Sequence, residues 1–332
     1  MQVNAPTPRV ARGGLDLGGT NIDAVIVDAR SNVLASARRA TPVEGGPLAV
    51  AAQMAGALNE AAKSAGLEPG ELRGVGVGSP GIVDTATGVV SSARNLPDWE
   101  GKFELGSTLA DELGTEVFVG NDVQVATEGE FKLGAARPYK SVLGVFWGTG
   151  VGGGLILNGK PWTGRGGAGE IGHIVVEIDG SRCPCGRRGC LEAYAGRAAM
   201  EARAHRRVEK GKKTDLFTLM KEHKRTRLTS SVWAHALQRG DKVAIEIIDG
   251  AVRALGSGIA TAVNLLDVEA VVIGGGLGVR FGQPFVDRIV AEMQPHLFND
   301  EHPPDVRVAA LGDLGGAIGA SLLVRNSRRP TA

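Results

Sequence analysis

His173, Cys183, Cys185 and Cys190 place one imidazole and three thiols in the pattern H-x9-C-x-C-x4-C, and these are the only cysteines among 332 residues. A Cys-x-Cys pair is poorly placed for an unstrained disulfide, because bridged Cα atoms need a particular separation and orientation. One nitrogen with three sulfurs instead forms a closed zinc set without an open position, which predicts a structural ion and not a catalytic one. Pro184 stiffens the loop, Gly186 and Gly189 permit sharp turns, and Arg182, Arg187 and Arg188 favour neighbouring thiolates. Incidental reduced thiols are the plainer alternative, but confinement of every cysteine to so short a stretch favours metal. Two carboxylates flank the loop, Glu170 in GAGEIGH and Glu192 in CLEAYAG.

Glycine carries the second kind of chemistry. LDLGGTN and GTGVGGG each read as an apolar strand, a Gly/Thr turn and a second strand. Backbone N–H groups bared in such turns can cradle an anion, and Thr20 and Thr149 each add a hydroxyl. A pair of these hairpins, Gly18, Gly19, Thr20 and Asn21 in one and Gly148, Thr149 and Gly150 in the other, could grip a polyphosphate. Asp16, at the strand end beside the first turn, is placed to hold Mg²⁺ directly or through water.

Other glycine motifs fail on context. GTGVGG (148–153) and GVGSPG (76–81) both satisfy G-x-G-x-x-G, but a dinucleotide site needs a helix to open after the turn. After Gly154 the chain reads LILNGK, a second strand, and the other motif encloses Pro80. The near-Walker stretch from Gly154 to Lys160 is followed by Pro161 where Ser or Thr should ligate Mg²⁺.

The elements that must position these groups follow an alternating pattern. Segments 15–28, 75–84, 143–159 and 271–278 are each a strand running into glycines. The first and third match best, which suggests two similarly built lobes. Helices are expected over 47–65, 104–113, 123–133, within 196–223 and 229–262, and over 313–324. Strands alternating with helices predict an α/β architecture. Gly is abundant, 50 of 332 residues, about twice the usual ~7%, as tight turns in a folded protein require. A net charge of +1 gives no general attraction to nucleic acid or anionic membrane. No stretch reaches the ~18 apolar residues of a membrane span, and the N-terminal segment lacks a signal-peptide core. A cytoplasmic protein is expected.

Taken together, LDLGGTN, GVGSPGIVD, VGNDVQVATEGE, GTGVGGG, GEIGH with CPCGRRGCLE, and VVIGGGLG resemble the ROK family of bacterial sugar kinases and sugar-responsive repressors, over roughly residues 12–325. The resemblance implies a two-lobed, actin-like (ribonuclease H-like) ATPase fold with a cleft between lobes and a structural zinc loop. The expected lobes are 1–121 with 313–332, and 122–312. It implies Asp122 as the general base that takes the proton of the attacked sugar hydroxyl. Sugar contacts carry over to Gly81, Asn121, Asp122, Glu170, His173 and Glu192, with Asn95 a weaker candidate, and the adenosine contact to Gly275 and Gly276. His173 would serve twice, one ring nitrogen on zinc and the other toward the sugar. Asn21 stands where the family commonly has Lys or Arg, and Gln124 replaces a frequent Asn. Repressors of the family carry a helix-turn-helix domain ahead of the first phosphate loop; only fifteen residues precede Asp16, so a kinase is expected. The implied reaction is ATP- and Mg²⁺-dependent phosphorylation of a hexose, glucose first, by a homodimer or higher oligomer. Mannose, fructose, N-acetylglucosamine or N-acetylmannosamine as substrate, polyphosphate as donor, and a non-catalytic sugar sensor stay open.

Overall fold

The computed structural model describes residues 10–93, 96 and 98–324; the candidate Asn95 lies outside them. The chain opens with β1 (Arg12–Leu17), β2 (Asn21–Val27), β3 (Val33–Ala40), α1 (Gly46–Ser64) and β4 (Val75–Ser79). Short strands β5 (Ile82–Asp84), β6 (Val89–Ser91) and β7 (Lys102–Phe103) precede α2 (Leu105–Leu113), β8 (Val117–Asn121) and α3 (Asp122–Leu133). Then follow β9 (Val142–Trp147), β10 (Val151–Leu157), β11 (Lys160–Pro161), α4 (Glu192–Ala195), α5 (Arg197–Glu209), α6 (Leu216–Glu222), α7 (Ser230–Gln238) and α8 (Lys242–Leu266). The end of the chain supplies β12 (Ala270–Gly274), α9 (Gly275–Phe281), α10 (Gln283–Met293), β13 (Asp305–Val308) and α11 (Gly315–Ser321). No helix of the described residues is long and apolar enough to cross a membrane.

Two five-stranded sheets share one plan, ordered β3-β2-β1-β4-β8 and β11-β10-β9-β12-β13. In each, antiparallel strands on one side adjoin two strands parallel to the central one. The likeness between segments 15–28 and 143–159 is therefore a likeness of topology. The stretch after GVGSPG enters the small sheet β5-β6-β7, and the stretch after GTGVGG forms β10; neither opens a helix.

The chain divides into two compact units. One runs up to Gly134 and includes Thr163–Ala168 and the segment from Leu311; the other comprises Ala135–Trp162 and Gly169–Ala310. This differs from the sequence division at 121/122, because α3 stays with the first unit. Its Gly129 lies against α11, where an added Cβ would sit 3.0 Å from the Cα of Gly319. The backbone N–H of Leu311 also donates to Glu130 Oε1 at 2.9 Å.

The two faces of the first sheet are built differently. Leu15, Leu17, Ile22, Val75 and Val77 share a buried core with Met54 and Leu58 of α1 and Leu105 and Leu109 of α2. On the opposite face, glycines let α11 lie almost on the backbone: a Cβ at Gly76 would fall 1.8 Å from the Ala320 carbonyl oxygen. Gly76→Ala is expected to destabilise the protein by roughly 2–3 kcal/mol through overpacking. Urea unfolding reads this directly, and an unchanged midpoint would contradict the packing.

Candidate active site

Strand register puts Arg38, Asp23, Asp16, Gly78 and Gly120 in one row across the first sheet. Side chains in such a row share a face. Arg38 grips the buried Asp23 with two hydrogen bonds, Nε to Oδ1 at 2.5 Å and Nη2 to Oδ2 at 3.1 Å. Asp16 stands next in the row, and Gly78 beyond it leaves the space that Asp122 needs. A Cβ on Gly78 would lie 3.6 Å from Asp16 Oδ1 and 3.3 Å from the Asp122 Cα. Gly316 yields likewise, since its Cβ would come within 2.2 Å of Asp16 Oδ2.

Crowding of acids has an electrostatic consequence. Desolvation, reinforced by Asp122 and Asp23 and opposed by Arg38, pushes the Asp16 carboxyl up to about 8. A group of carboxylate oxygens under mutual repulsion fits Mg²⁺, a hard cation commonly held through one or two carboxylates plus substrate phosphates. Between the unfolded value of 3.8 and about 8, the native state holds a proton that the unfolded chain has released. Stability therefore falls as pH rises through that window, and the full cost stands above it. In Mg²⁺-free buffer Asp16→Asn is expected to melt near wild type at pH 4 but above it at pH 8.5. The difference should be on the order of a few kcal/mol; parallel melting profiles would contradict it.

Asp122 is the first residue of α3, at the C-terminal end of β8 as its neighbours in the sequence predict. The cap is Asn121: its Oδ1 accepts from the Gln124 N–H at 3.1 Å, and its Nδ2 donates to the Gly81 carbonyl at 3.4 Å. Gly81, Asn121 and Asp122 are thus brought together within the first unit. Gly18, Gly19 and Thr20 form the β1–β2 turn, with Asn21 opening β2. Thr41 Oγ1 donates to the Gly18 carbonyl at 2.7 Å, which fixes that turn. Among the described residues, no protein group accepts from the N–H groups of Gly19 and Thr20.

In the second unit the β9–β10 turn, Gly148 to Gly150, meets the start of α9. The two parallel strands β9 and β12 pair Phe146 with Gly274, so both turns emerge at the same end of the sheet, past the C-termini of these strands. A Cβ on Gly148 would sit 4.0 Å from the Gly276 nitrogen. Gly275 has φ 79° and lies on Trp147, where a Cβ would come 2.6 Å from the carbonyl oxygen. Only glycine suits both demands. The phosphate and adenosine candidates of this unit are therefore neighbours.

The four zinc candidates also converge. Their ligand atoms all lie within 4.8 Å of one another. Cys185 and Cys190 sulfurs are 3.7 Å apart, and Cys183 Sγ is 4.0 Å from His173 Nδ1. Zinc bound at ~2.3 Å from each sulfur separates tetrahedral ligands by roughly 3.8 Å, so the set fits the ion. All three cysteines are free of disulfides. Burial pushes the Cys183 thiol up to about 12. Burial also works against Cys185, but hydrogen bonds from the Arg187 N–H, Cys183 and Cys190 outweigh it and bring that thiol down to about 7. Holding all three sulfurs as thiolates would call for a divalent counter-charge. The loop closes on itself through Cys183 N–H to Arg187 O at 2.8 Å and Gly189 N–H to Ser181 O at 2.9 Å. At Gly189, φ is 76° and a Cβ would strike the Glu177 carbonyl at 1.8 Å.

The loop aims the flanking acids. With Nδ1 of His173 toward the sulfurs, Nε2 faces Glu170 Oε2 at 3.9 Å. The ring thus presents one nitrogen to the thiol cluster and the other to Glu170. Glu192 opens α4; its Oε2 accepts from the Val151 N–H at 3.0 Å, while Cys183 Sγ lies 3.9 Å from its Oε1. The buried Trp147 adds a second tie, donating from Nε1 to the Ala195 carbonyl at 2.7 Å. Glu192 thereby joins the thiol cluster to the second glycine turn.

Four contributors escaped the sequence reading. Asp23 and Arg38 complete the Asp16 row, and the hairpin register about the Gly18–Thr20 turn would have paired Asp16 with Asp23. Tyr194 accepts from the Ser181 N–H at 2.6 Å and braces the loop. Arg197 donates from Nη2 to Thr149 Oγ1 at 2.7 Å. Neither of the last two carries a local signal, since both contacts depend on the fold.

Known proteins match this chain along nearly its whole length. A glucokinase of Thermotoga maritima is 32% identical over 96% of this chain and 98% of its own. An N-acetylgalactosamine kinase of a Shewanella species is also 32% identical, over 93% of this chain and 95% of its own. The crystal structure of a ROK family glucokinase from Streptomyces griseus, in complex with glucose and AMPPNP, superposes with a TM-score of 0.81 at 31% identity, covering 94% of this chain and 98% of that one. This similarity identifies the fold as the actin-like ATPase type. The ROK family model matches residues 12–327, and with that match and these relatives the chain belongs to the ROK family.

Proposed function

We propose that this ATP-dependent sugar kinase transfers the terminal phosphoryl group of ATP to the 6-hydroxyl of glucose. The observation that carries the reading is Asp122 at the head of α3, capped by Asn121 and set beside Asp16 across the bare Gly78. Phosphoryl transfer needs alignment, neutralisation of charge and one carboxylate on the nucleophile. Asp122 takes the proton of the sugar hydroxyl. Gly81, Asn121, Glu170, His173 and Glu192 bind the sugar, since carboxylates and amides each fix the direction of an OH.

Gly18, Gly19, Thr20, Asn21, Gly148, Thr149 and Gly150 bind the phosphates of ATP, and Gly275 and Gly276 its adenosine. Asp16 holds Mg²⁺, which when bound neutralises phosphate charge. His173, Cys183, Cys185 and Cys190 hold zinc, which when bound supplies rigidity to the loop carrying Glu170 and Glu192. A cytoplasmic location and a homo-oligomeric state belong to the same proposal; free thiols gathered for a metal suit a reducing compartment.

Glucose is preferred because relatives named glucokinase match along nearly the full length. Relatives named as kinases of N-acetylgalactosamine and N-acetyl-D-glucosamine favour acetamido sugars as the second reading. Steady-state kcat/KM for glucose, mannose, fructose and the N-acetylhexosamines, each with ATP and with polyphosphate, tests the choice. Glucose with ATP should lead the panel, and a larger value for any acetamido sugar would replace it.

A further inference from the structure

The second glycine turn has a cation beside it that the known motifs do not assign. Arg197 opens α5, and that helix is pinned to the turn by Arg197 N–H to Gly148 O and Ala198 N–H to Thr149 O, both 3.1 Å. Arg197 is half-buried as a residue, and its guanidinium donates from Nη2 to the Thr149 hydroxyl oxygen at 2.7 Å. A partly desolvated guanidinium ordinarily finds a carboxylate. Arg197 forms no ion pair among the described residues.

The acid one helical turn onward, Glu201, is already committed. Its oxygens accept from Arg227 Nε at 3.0 and 3.2 Å and from the Leu228 N–H at 3.1 Å. Meanwhile no protein group among the described residues accepts from the Thr149 and Gly150 N–H groups. Because the Thr149 oxygen accepts from Arg197, its own hydroxyl hydrogen points elsewhere. One positive charge, one hydroxyl and a pair of backbone donors therefore share a turn whose neighbouring carboxylate, Glu192, accepts from the Val151 N–H and not from any of them.

We propose that Arg197 is a phosphate-binding residue, its guanidinium meeting the polyphosphate of the bound nucleotide beside the Thr149 hydroxyl. The inference rests on the proposed assignment of ATP to this turn. It adds a charge-assisted contact, of the kind that exceeds a neutral hydrogen bond, to a site otherwise made of backbone and hydroxyl donors. Burial, ahead of the opposing pull of Glu201, lowers the Arg197 pKa from its ordinary value, which agrees with a cation awaiting a partner.

Calorimetric titration of the full-length protein with Mg-ATP, adenosine and glucose tests this in wild type, Arg197→Ala, Arg197→Gln and Arg197→Lys. The Ala and Gln variants should bind Mg-ATP about 10-fold more weakly, with adenosine and glucose affinities within twofold of wild type. Lys should restore part of the loss, since it keeps the charge without the planar fork. Unchanged Mg-ATP affinity in Ala and Gln would overturn the inference, and so would an equal loss for Mg-ATP and adenosine, which would leave Arg197 only a shaping role. A wild type that binds Mg-ATP but phosphorylates no sugar overturns the proposed function alone; one that binds no Mg-ATP overturns both.

Discussion

Asp122→Asn should lower kcat about 1,000-fold while the dissociation constants for glucose and Mg-ATP stay within a few-fold of wild type. The substitution keeps size and a hydrogen-bonding oxygen but removes the capacity to accept a proton. Helix α3 should survive, because its cap is the side chain of Asn121 donated to by the Gln124 N–H, not Asp122. One charge is also removed from beside Asp16, whose carboxyl is raised by Asp122 among its causes after desolvation. The variant should therefore melt no lower than wild type at pH 8.5. ADP release under saturating substrates, paired with calorimetric binding, separates chemistry from affinity. A kcat within tenfold of wild type would remove Asp122 as the base.

Cys185→Ser is expected to have the second large effect, on metal content and on the sugar. Zinc should fall from near one equivalent per chain to near none, because the Cys185 sulfur lies 3.7 Å from that of Cys190 at the heart of the cluster. Apparent free energies of structural zinc sites reach on the order of 10 kcal/mol, so the loop should loosen without the ion. Disturbance should spread along named contacts. Glu170 faces His173 Nε2 at 3.9 Å, and Glu192 is fixed through Val151 at 3.0 Å. Glucose affinity should drop about 100-fold, more than Mg-ATP affinity, and the melting temperature should fall. Metal analysis by mass spectrometry with calorimetry reads both. Wild-type glucose affinity in a protein shown to be zinc-free would contradict the role given to the loop.

What could be read from the sequence was what is local along the chain. The thiol cluster lies within one loop, so spacing alone brings Cys183, Cys185 and Cys190 together, and the geometry agrees. Each Gly/Thr hairpin is a run of adjacent residues, and β1–β2 and β9–β10 form where the strand-turn-strand pattern predicts. The start of α1 was legible to within one residue, because Pro47 opens the expected helix and lies in its first turn.

Pairings set by tertiary register were not legible. Arg38 joins the Asp16–Asp23 pair only because β2 lies between β1 and β3. Arg197 reaches Thr149 across 48 positions of sequence. The boundary between units moved for the same reason: close glycine packing of α3 on α11 couples residue 129 to residue 319, and no composition shift announces it.

Direct product analysis bears hardest on the central claim. Wild-type protein incubated with glucose, Mg²⁺ and ATP, and followed by phosphorus and carbon NMR, should form glucose phosphate with coupling to C6, one ADP for each sugar consumed. Phosphate on any other carbon, or bound glucose with no ADP formed, would contradict the account.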